Sequence, residues 1–385
     1  MTAAIHSRRD FSRILCQSLA AAIAAPNLPN LNPLDAQQTN PMPLGPVRLN
    51  FNENPYGPSP KARAALAECG SISNRYPDDA YRLLLNMLAQ KYNLKPENII
   101  LGCGSTEILR AADDAFLDPT RNVVAAAPTF EAVLDYARVL RSNAVLVPLT
   151  SDHRHDLQKM AAACTSKAGV AYVCNPNNPT GTYIPRDDMA SFVAAVPPST
   201  LILVDEAYFE FADAPAYGTA IPLIAAHPNV LVARTFSKIY GMAGMRLGYG
   251  VGSKPTIELI SRYLVQDNIN AAVIGAAMAT LDDFEGLATT HDKLMHTRDW
   301  LYAQLKKDGR TAIPSQGNFV MLDVGTDAKP VIAQFAERQI LVGRYFPSMP
   351  TFIRVTVGTQ PEIEAFVTAL RQIVPAPAAQ AAHAA

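Results

Sequence analysis

Short apolar runs alternate with helix-like stretches between residues 98 and 234, and this alternation constrains the fold more than any other feature. The apolar runs are NIIL (98–101), NVVAAA (122–127), VAYVC (170–174), LILVD (201–205) and VLVAR (230–234). Stretches such as TEILRAADDAF (106–116) separate them. Strands that alternate with helices usually pair in parallel, so the pattern predicts an α/β domain with a mostly parallel sheet.

A second pattern begins near residue 285. The helix-like stretch HDKLMHTRDWLYAQLKK (291–307) is followed by the apolar run NFVMLDV, a further helix-like stretch and the run FIRVTVG (352–358). This order of helix, strand, helix and strand predicts a smaller α+β domain over residues 285–374. The preceding large domain is expected to cover residues 71–284.

The two ends of the chain differ in composition from the rest. Nine of the thirty prolines lie between Pro26 and Pro60. Residues 41–70 are therefore expected to form an extended N-terminal arm rather than packed helices and strands. The alanine-rich residues 375–385 are expected to form a disordered tail.

The first 40 residues resemble a twin-arginine export signal with a proline-rich linker. Arg8 and Arg9 are followed by Phe11 and by a short, alanine-rich apolar run (14–25). That run is shorter than the roughly 20 residues of a transmembrane helix, so contact with a membrane is expected only during export. The signal predicts a periplasmic protein. The alternative is an ordinary disordered start on a cytoplasmic protein.

Charge and cysteine spacing argue against several kinds of partner. The 33 basic and 34 acidic residues nearly balance, and no basic run with interleaved aromatic residues indicates a nucleic acid partner. Five cysteines occur without a CxxC motif, and seven histidines occur without HExxH, so no metal site is expected. A small-molecule substrate fits best. Disulfide formation, including a Cys103–Cys174 bond, stays open.

Polar and glycine-rich segments follow four of the predicted strands, at the sheet edge where doubly wound folds bind ligands. They are GCGSTE (102–107), NPNNPTG (175–181), DEAY (205–208) and TFSKIYGMAGMRLG (235–248). In the first segment, a helix that begins at Ser105 or Thr106 has free N–H groups that favour an anion such as phosphate. A plain turn with a helix cap is the alternative interpretation.

An aspartate and a lysine at neighbouring strand ends favour a particular kind of cofactor. A buried carboxylate such as Asp205 usually caps the chain, but it can also keep a heterocyclic nitrogen protonated. A lysine such as Lys238 can bond to an aldehyde cofactor, which further needs hydrogen bonds to a phenolate oxygen and donors for a phosphate.

Together, NPNNPTG, VDEAY, TFSKIYGMAGMRLG and IRVTVGT resemble, in order and separation, the pyridoxal-phosphate aminotransferases of fold type I. The segments LNFNENPYGPSP (49–60) and RYPD (75–78) are similar to the histidinol-phosphate aminotransferase branch. The resemblance covers roughly residues 45–373. It implies an aspartate-aminotransferase-like large domain, pyridoxal 5′-phosphate as cofactor, and transfer of an amino group from an amino acid or amino-phosphate to a 2-oxo acid. In that branch the substrates are L-histidinol phosphate and 2-oxoglutarate.

The resemblance also implies roles for individual residues. Lys238 would bond to the cofactor aldehyde and move the proton between the substrate Cα and C4′, and Asp205 would pair with the pyridinium nitrogen. Asn178 and Tyr208 would hydrogen-bond the phenolic oxygen, Tyr208 as part of the catalytic group, and Phe130 would stack on the ring. The cofactor phosphate would be bound by Gly104, Ser105, Thr106, Thr235, Ser237 and Arg246.

Further implied roles concern the substrate and a second subunit. Arg354 would bind the substrate's α-carboxylate, which its planar guanidinium fits well, with Asn178 beside it. Arg344 would bind a phosphate, a side-chain carboxylate or nothing. Tyr76 would reach the cofactor phosphate of a neighbouring subunit, which implies a homodimer.

The identity of the amino donor is less constrained. Gln266 and Asp267 stand where the branch has a proline and an aromatic residue, and an export signal is unusual for an enzyme of histidine synthesis. A periplasmic aminotransferase of other amino acids is therefore an alternative. Decarboxylases, lyases and racemases share the fold and the cofactor, so they are a second alternative. A non-catalytic cofactor-binding module is a third.

Overall fold

A seven-stranded sheet forms the central layer of residues 45–375, the part of the chain that the computed structural model describes. Its strands are β2 (Ile99–Gly102), β3 (Asn122–Ala127), β4 (Ala144–Pro148), β5 (Ala168–Cys174), β6 (Leu201–Asp205), β7 (Val230–Thr235) and β8 (Gly248–Gly252). Their order across the sheet is β2-β8-β7-β6-β5-β3-β4. Only β8 runs against its neighbours, so the predicted α/β fold with a mostly parallel sheet is confirmed.

Helices cover both faces of this sheet. On one face lie α3 (Ser105–Phe116), α4 (Ala132–Val139) and α7 (Lys254–Ser261). On the other face lie α1 (Pro60–Glu68), α2 (Asp78–Lys91), α5 (Leu157–Ala163), α6 (Arg186–Ala195) and α8 (Ala271–Leu281). Successive strand residues alternate between the two apolar cores, as Val123 and Val124 do. Because both faces are buried, the inner strands β3, β5 and β6 are apolar at nearly every position.

A separate core is built from the end of the chain and a segment near its start. It contains a three-stranded antiparallel sheet of β9 (Ala312–Ile313), β10 (Phe319–Asp323) and β12 (Phe352–Thr356). The helices around it are α9 (Phe284–Lys307), α10 (Ala328–Glu337) and α11 (Gln360–Ile373). The stacked rings of Phe335 and Phe366 join α10 to α11. The division into domains at residue 285 stays a prediction.

Residues 41–70 were predicted to form an extended arm without packed helices or strands. That prediction is wrong for the described part, because it contains one strand and one helix that pack against the rest of the chain. Residues Val47–Leu49 form β1, which pairs in parallel with β11 (Ile340–Val342). Helix α1 begins at Pro60, whose missing N–H costs nothing in the first turn. The Ser59 side chain caps it by accepting a hydrogen bond from Ala62 N at 3.3 Å. The prolines therefore mark element boundaries here.

Residues 1–44 and 376–385 lie outside the described residues, and with them the predicted export signal and almost all of the predicted tail. Within residues 45–375, no helix is both long and apolar enough to cross a membrane. In the same range, no cluster of three or more His, Cys, Asp or Glu side chains has the geometry of a metal site.

Candidate active site

A cavity of about 640 Å³ lies where β5, β6 and β7 end. Twelve of the fourteen predicted site residues line it: Ser105, Thr106, Phe130, Asn178, Asp205, Tyr208, Thr235, Ser237, Lys238, Arg246, Arg344 and Arg354. Gly104 directly precedes Ser105 and lies next to Arg246, whereas Tyr76 is outside the lining and has 78% of its area exposed. The structure thus brings together residues that are up to 250 positions apart along the chain.

Asp205 is the last residue of β6, and its carboxylate is buried. Its Oδ2 accepts a hydrogen bond of 3.0 Å from the Tyr172 hydroxyl, and its Oδ1 accepts one of 3.2 Å from Ala207 N. Burial raises the pKa of Asp205 to about 6, although both hydrogen bonds and the nearby Lys238 oppose this shift. A carboxylate in such an apolar setting gains strongly from a cationic partner such as a protonated ring nitrogen.

Lys238 extends into the same cavity from the loop after β7. Its Nζ donates a 3.0 Å hydrogen bond to the carbonyl oxygen of Phe51 and lies 5.6 Å from the centre of the Tyr208 ring. Burial, and after it the charge of Arg354, lowers the pKa of Lys238 to about 8. A much larger share of its amine is therefore neutral and nucleophilic near neutral pH than in an exposed lysine.

A buried ion pair fixes the strand ends that carry these two residues. Arg234 Nη2 lies 2.6 Å from Glu206 Oε2, and both side chains are almost fully buried. Arg234 also stacks on Phe209, with its Cζ 3.6 Å from the ring centre. Removing one partner of such a pair typically costs about 3 to 5 kcal/mol. The pair therefore holds β6 next to β7 directly beside the site.

The Tyr208 hydroxyl is held by two amide side chains. It accepts hydrogen bonds from Asn52 Nδ2 at 2.9 Å and from Asn178 Nδ2 at 3.4 Å. The Tyr208 ring packs edge-on against Phe319, with a distance of 5.0 Å between the ring centres. Burial raises the pKa of Tyr208 far above its usual value. Its hydroxyl keeps its proton and can donate it to an oxygen anion in the cavity.

Backbone N–H groups and hydroxyls form an anion cradle at one side of the cavity. Helix α3 begins at Ser105 without a side-chain cap, because Gly104 (φ 79°) takes the N-cap position. A Cβ on Gly104 would lie 2.2 Å from Arg246 Nη2, so only glycine lets that guanidinium approach. Arg246 donates to Thr106 Oγ1 at 3.2 Å and to Ser237 Oγ at 3.3 Å.

Thr235 completes the cradle. Its hydroxyl donates to Ser237 Oγ at 2.9 Å and accepts from Ser237 N at 3.1 Å. The cradle thus combines an uncapped helix N-terminus, the four hydroxyls of Ser105, Thr106, Thr235 and Ser237, and a guanidinium, which suits a phosphate group.

Arg354 lies in the middle of β12 and lines the same cavity. Its Nη1 donates to Asn178 Oδ1 at 2.6 Å and its Nη2 donates to the Asn50 carbonyl at 2.8 Å. Its Nε is buried and has no hydrogen-bond partner among residues 45–375. A guanidinium with an unused buried donor can bind a carboxylate or a phosphate ester.

The sequence interpretation missed several groups that shape the site. Asn52 bonds to Tyr208, the Phe51 carbonyl bonds to Lys238, and Tyr172 bonds to Asp205. Two of the three belong to the asparagine-rich segment LNFNENP, whose residues were not given individual roles. Tyr172 had a usable signal, because a tyrosine inside an otherwise apolar buried strand needs a partner for its hydroxyl.

These features fit pyridoxal 5′-phosphate and define a class of enzyme. The cradle suits a phosphate, the buried Asp205 suits a protonated ring nitrogen, and Lys238 suits an aldehyde. The cavity also lies at the carboxyl ends of parallel strands, where α/β sheets bind ligands, so the site is that of an enzyme that uses this cofactor.

The family model for aminotransferase class I and II matches residues 45–370. The chain belongs to this family and is a pyridoxal-phosphate-dependent aminotransferase. A histidinol-phosphate aminotransferase from Moorella thermoacetica is 38% identical, with 85% of each chain covered. An aromatic amino acid aminotransferase from Mycobacteroides abscessus is 37% identical, with 88% of this chain and 96% of the relative covered.

A solved structure supports the same assignment. The crystal structure of a histidinol-phosphate aminotransferase from Sinorhizobium meliloti, in complex with pyridoxal-5′-phosphate, has a TM-score of 0.81 to this chain. The two are 26% identical, and the match covers 91% of this chain and 99% of the other.

Proposed function

We propose that the cavity residues bind pyridoxal phosphate and a substrate in defined places. The cradle of Gly104, Ser105, Thr106, Thr235, Ser237 and Arg246 would hold the phosphate. Asp205 would hold the ring nitrogen, Asn178 and Tyr208 the phenolic oxygen, and Phe130 one face of the ring. When bound, the cofactor supplies an electron-withdrawing ring that stabilises negative charge at the substrate Cα. The convergence of Lys238, Asp205 and Arg354 on one cavity carries this proposal.

The protein side chains would then divide the remaining work. Lys238 Nζ would take the proton from the substrate Cα and deliver it to C4′ of the cofactor, since its lowered pKa suits a base near neutral pH. Arg354 would orient the substrate through its α-carboxylate. L-Histidinol phosphate has a phosphate ester in place of that carboxylate, and a guanidinium binds either group.

For the substrates, we propose an amino acid or amino-phosphate donor and a 2-oxo acid acceptor. The relatives support two donor classes, L-histidinol phosphate and aromatic amino acids. The test is to incubate the holoenzyme with 2-oxoglutarate and each donor, and to quantify glutamate and the carbonyl product. One glutamate per carbonyl product supports transamination. Release of carbon dioxide or an amine without glutamate would instead indicate the decarboxylase or lyase alternative.

We further propose that two chains form a homodimer in which Tyr76 reaches the partner's site. Tyr76 lies outside the cavity of its own chain and is largely exposed, together with the apolar side chains of Phe51, Ile72 and Leu83. Exposed apolar groups of this number on one stretch of chain favour a protein interface. Sedimentation equilibrium would give the mass of a dimer if the proposal is right and of a monomer if it is wrong.

Export by the twin-arginine route is also a proposal, based on Arg8, Arg9 and the apolar run that follows them. That route carries folded proteins, which suits an enzyme that has to bind its cofactor before export. Replacing both arginines by lysine should retain the full-length protein in the cytoplasm, as measured by cell fractionation. An unchanged distribution would contradict the proposal.

A further inference from the structure

An ion pair lies at the mouth of the active-site cavity. Glu131 Oε2 lies 2.5 Å from Arg344 Nη2, and both side chains are half exposed and line the cavity. Glu131 directly precedes α4, whereas Arg344 follows β11. The pair therefore joins two segments that are more than 200 residues apart, at the exposed edge of the cavity.

Arg344 is close to the arginine that is proposed to bind the substrate. The guanidinium carbons of Arg344 and Arg354 lie 4.3 Å and 5.6 Å from the centre of the same ring, Phe346. The charge of Arg344 also contributes, after burial, to lowering the pKa of Arg354. A small molecule with one anionic group on Arg354 can thus present a second anionic group to Arg344.

The hydrogen-bonding capacity of Arg344 is partly taken up within the protein. Its Nη1 donates to the Tyr345 carbonyl at 3.0 Å, and Glu131 lies against its Nη2. The other acidic side chains at the mouth have their own partners, Glu53 with Arg48 at 3.1 Å and Asp135 with Arg138 at 2.9 Å. Glu131 is therefore the carboxylate with which a ligand has to compete for Arg344.

We propose that Glu131 is a specificity-determining residue that acts through Arg344. A dicarboxylic substrate, such as a 2-oxo dicarboxylic acid or its amino acid, has to displace Glu131 before its distal carboxylate reaches Arg344. A substrate with a neutral side chain leaves the ion pair intact. Glu131 therefore weakens the binding of dicarboxylates selectively, which lets one cavity accept both neutral and anionic side chains. This inference rests on the proposed function of the cavity.

The test measures binding of two non-reacting acids of equal chain length to the holoenzyme by titration calorimetry. Glutarate has two carboxylates, and pentanoate has one. Glu131→Gln keeps the shape of the side chain and removes its charge. Half-exposed ion pairs are weak, so this variant should bind glutarate about two- to fivefold more tightly and pentanoate with unchanged affinity. The tightening should fade at high salt.

A double-mutant cycle separates pairing from a general charge effect. In the background of Arg344→Gln, Glu131→Gln should no longer change the affinity for glutarate. Asp135→Asn is the matched control, because it also removes one carboxylate from the lining of the cavity. Its effect on the affinity for glutarate or for pentanoate should be smaller than the effect of Glu131→Gln on the affinity for glutarate.

Three results would overturn the inference. The first is an unchanged glutarate affinity in Glu131→Gln, and the second is equal tightening of glutarate and pentanoate by that variant. The third is undiminished tightening in the Arg344→Gln background. Neither acid carries a group that can be transaminated, so these affinities can be read independently of the proposed reaction. Retained cofactor absorbance and melting temperature establish that each variant is folded.

Discussion

Arg354 Nη1 donates a 2.6 Å hydrogen bond to Asn178 Oδ1, and the same Asn178 donates through Nδ2 to the Tyr208 hydroxyl. Through this amide, the arginine on β12 is coupled to a tyrosine that follows β6. Arg354, which is proposed to bind the substrate, and Tyr208, which is proposed to contact the cofactor, are thus linked by hydrogen bonds through Asn178. A change at Arg354 is expected to affect substrate binding first and cofactor binding little.

The first prediction concerns Arg354→Lys, which keeps the positive charge but loses the planar pair of donors. The KM for the 2-oxo acid should rise about 10- to 100-fold, the equivalent of about one charged hydrogen bond. Steady-state kinetics with varied 2-oxo acid gives this value. Cofactor affinity, measured by fluorescence titration of the apoenzyme, serves as the control and should change less than twofold. Equal losses in both quantities would contradict the assigned role.

The second prediction concerns the pH dependence of cofactor attachment. A lysine reacts with an aldehyde only when its amine is neutral, and the pKa of Lys238 is lowered to about 8. The rate of reconstitution of the apoenzyme should therefore increase with pH with a midpoint near pH 8 and level off about one pH unit higher, instead of continuing to increase towards the usual lysine value of 10.5. Stopped-flow absorbance at a series of pH values measures it.

A matched variant tests the cause of that lowered pKa. The charge of Arg354 contributes to it, so Arg354→Gln should move the midpoint of the profile to higher pH. A midpoint that remains in place in this variant, or a wild-type rate that still rises steeply at pH 10, would contradict the assignment.

The third prediction concerns stability. Asp113 in α3 is fully buried, and neither of its oxygens has a hydrogen-bond partner among residues 45–375. Burial, followed by the charge of Asp114, raises the pKa of Asp113 to about 9. The folded protein therefore holds this proton more tightly than the unfolded chain. The resulting stability is present below the unfolded pKa of about 4 and is lost as the pH rises towards 9.

Asp113→Asn removes this titration. The melting temperature of the variant should exceed that of the wild type at pH 8, and the difference should shrink towards pH 5. Between pH 5 and pH 8, the free energy of unfolding of the wild type should fall by about 2 to 4 kcal/mol relative to that of the variant. Asp79→Asn is the control, since the Asp79 side chain is almost fully exposed and its replacement should leave the profile parallel to that of the wild type. Parallel profiles of wild type and Asp113→Asn would count against a buried, protonated Asp113.

The fourth prediction concerns the proposed dimer. If Tyr76 contacts the partner's cofactor, each site takes Lys238 from one subunit and Tyr76 from the other. Tyr76→Ala and Lys238→Ala then remove groups that different subunits supply to the same site. Unfolding and refolding the two variants together should produce mixed dimers with one intact site each. Activity should then recover to about a quarter of the wild-type value, as expected from random pairing. No recovery, with each variant still dimeric, would show that Tyr76 does not act across subunits.

Local sequence predicted five of the seven strands of the central sheet, namely β2, β3, β5, β6 and β7, and missed β4 and β8. The predicted bounds of β3 and β6 agree with the structure. Strand β8, with the sequence GYGVG, was not predicted because glycine is a poor strand former. Its glycines have a tertiary cause: a Cβ on Gly248 would lie 2.2 Å from Ser105 N, at the start of α3. The sequence of neither segment indicates that it approaches the other, which lies about 140 residues away along the chain.

The same distinction applies to the site. Asp205 and Lys238 could be identified from their chemistry, because a carboxylate and a lysine stand at or just after the ends of neighbouring apolar strands, whereas Arg354 was identified through the family resemblance. The Phe51 and Asn50 carbonyls, which accept from Lys238 and Arg354, are backbone groups that any residue provides. Their positions depend on the packing of the segment after β1, which the sequence alone did not predict.

The central claim is that this cavity transfers an amino group with Lys238 as the proton carrier. The most direct measurement is a single-turnover reaction of the holoenzyme, without acceptor, with L-histidinol phosphate, L-glutamate and aromatic amino acids in turn. The visible absorption of the bound cofactor should disappear with at least one donor, and one equivalent of carbonyl product should form per site. Lys238→Ala should slow this by several orders of magnitude. Unchanged absorption with every donor, or equal rates in wild type and Lys238→Ala, would contradict the claim.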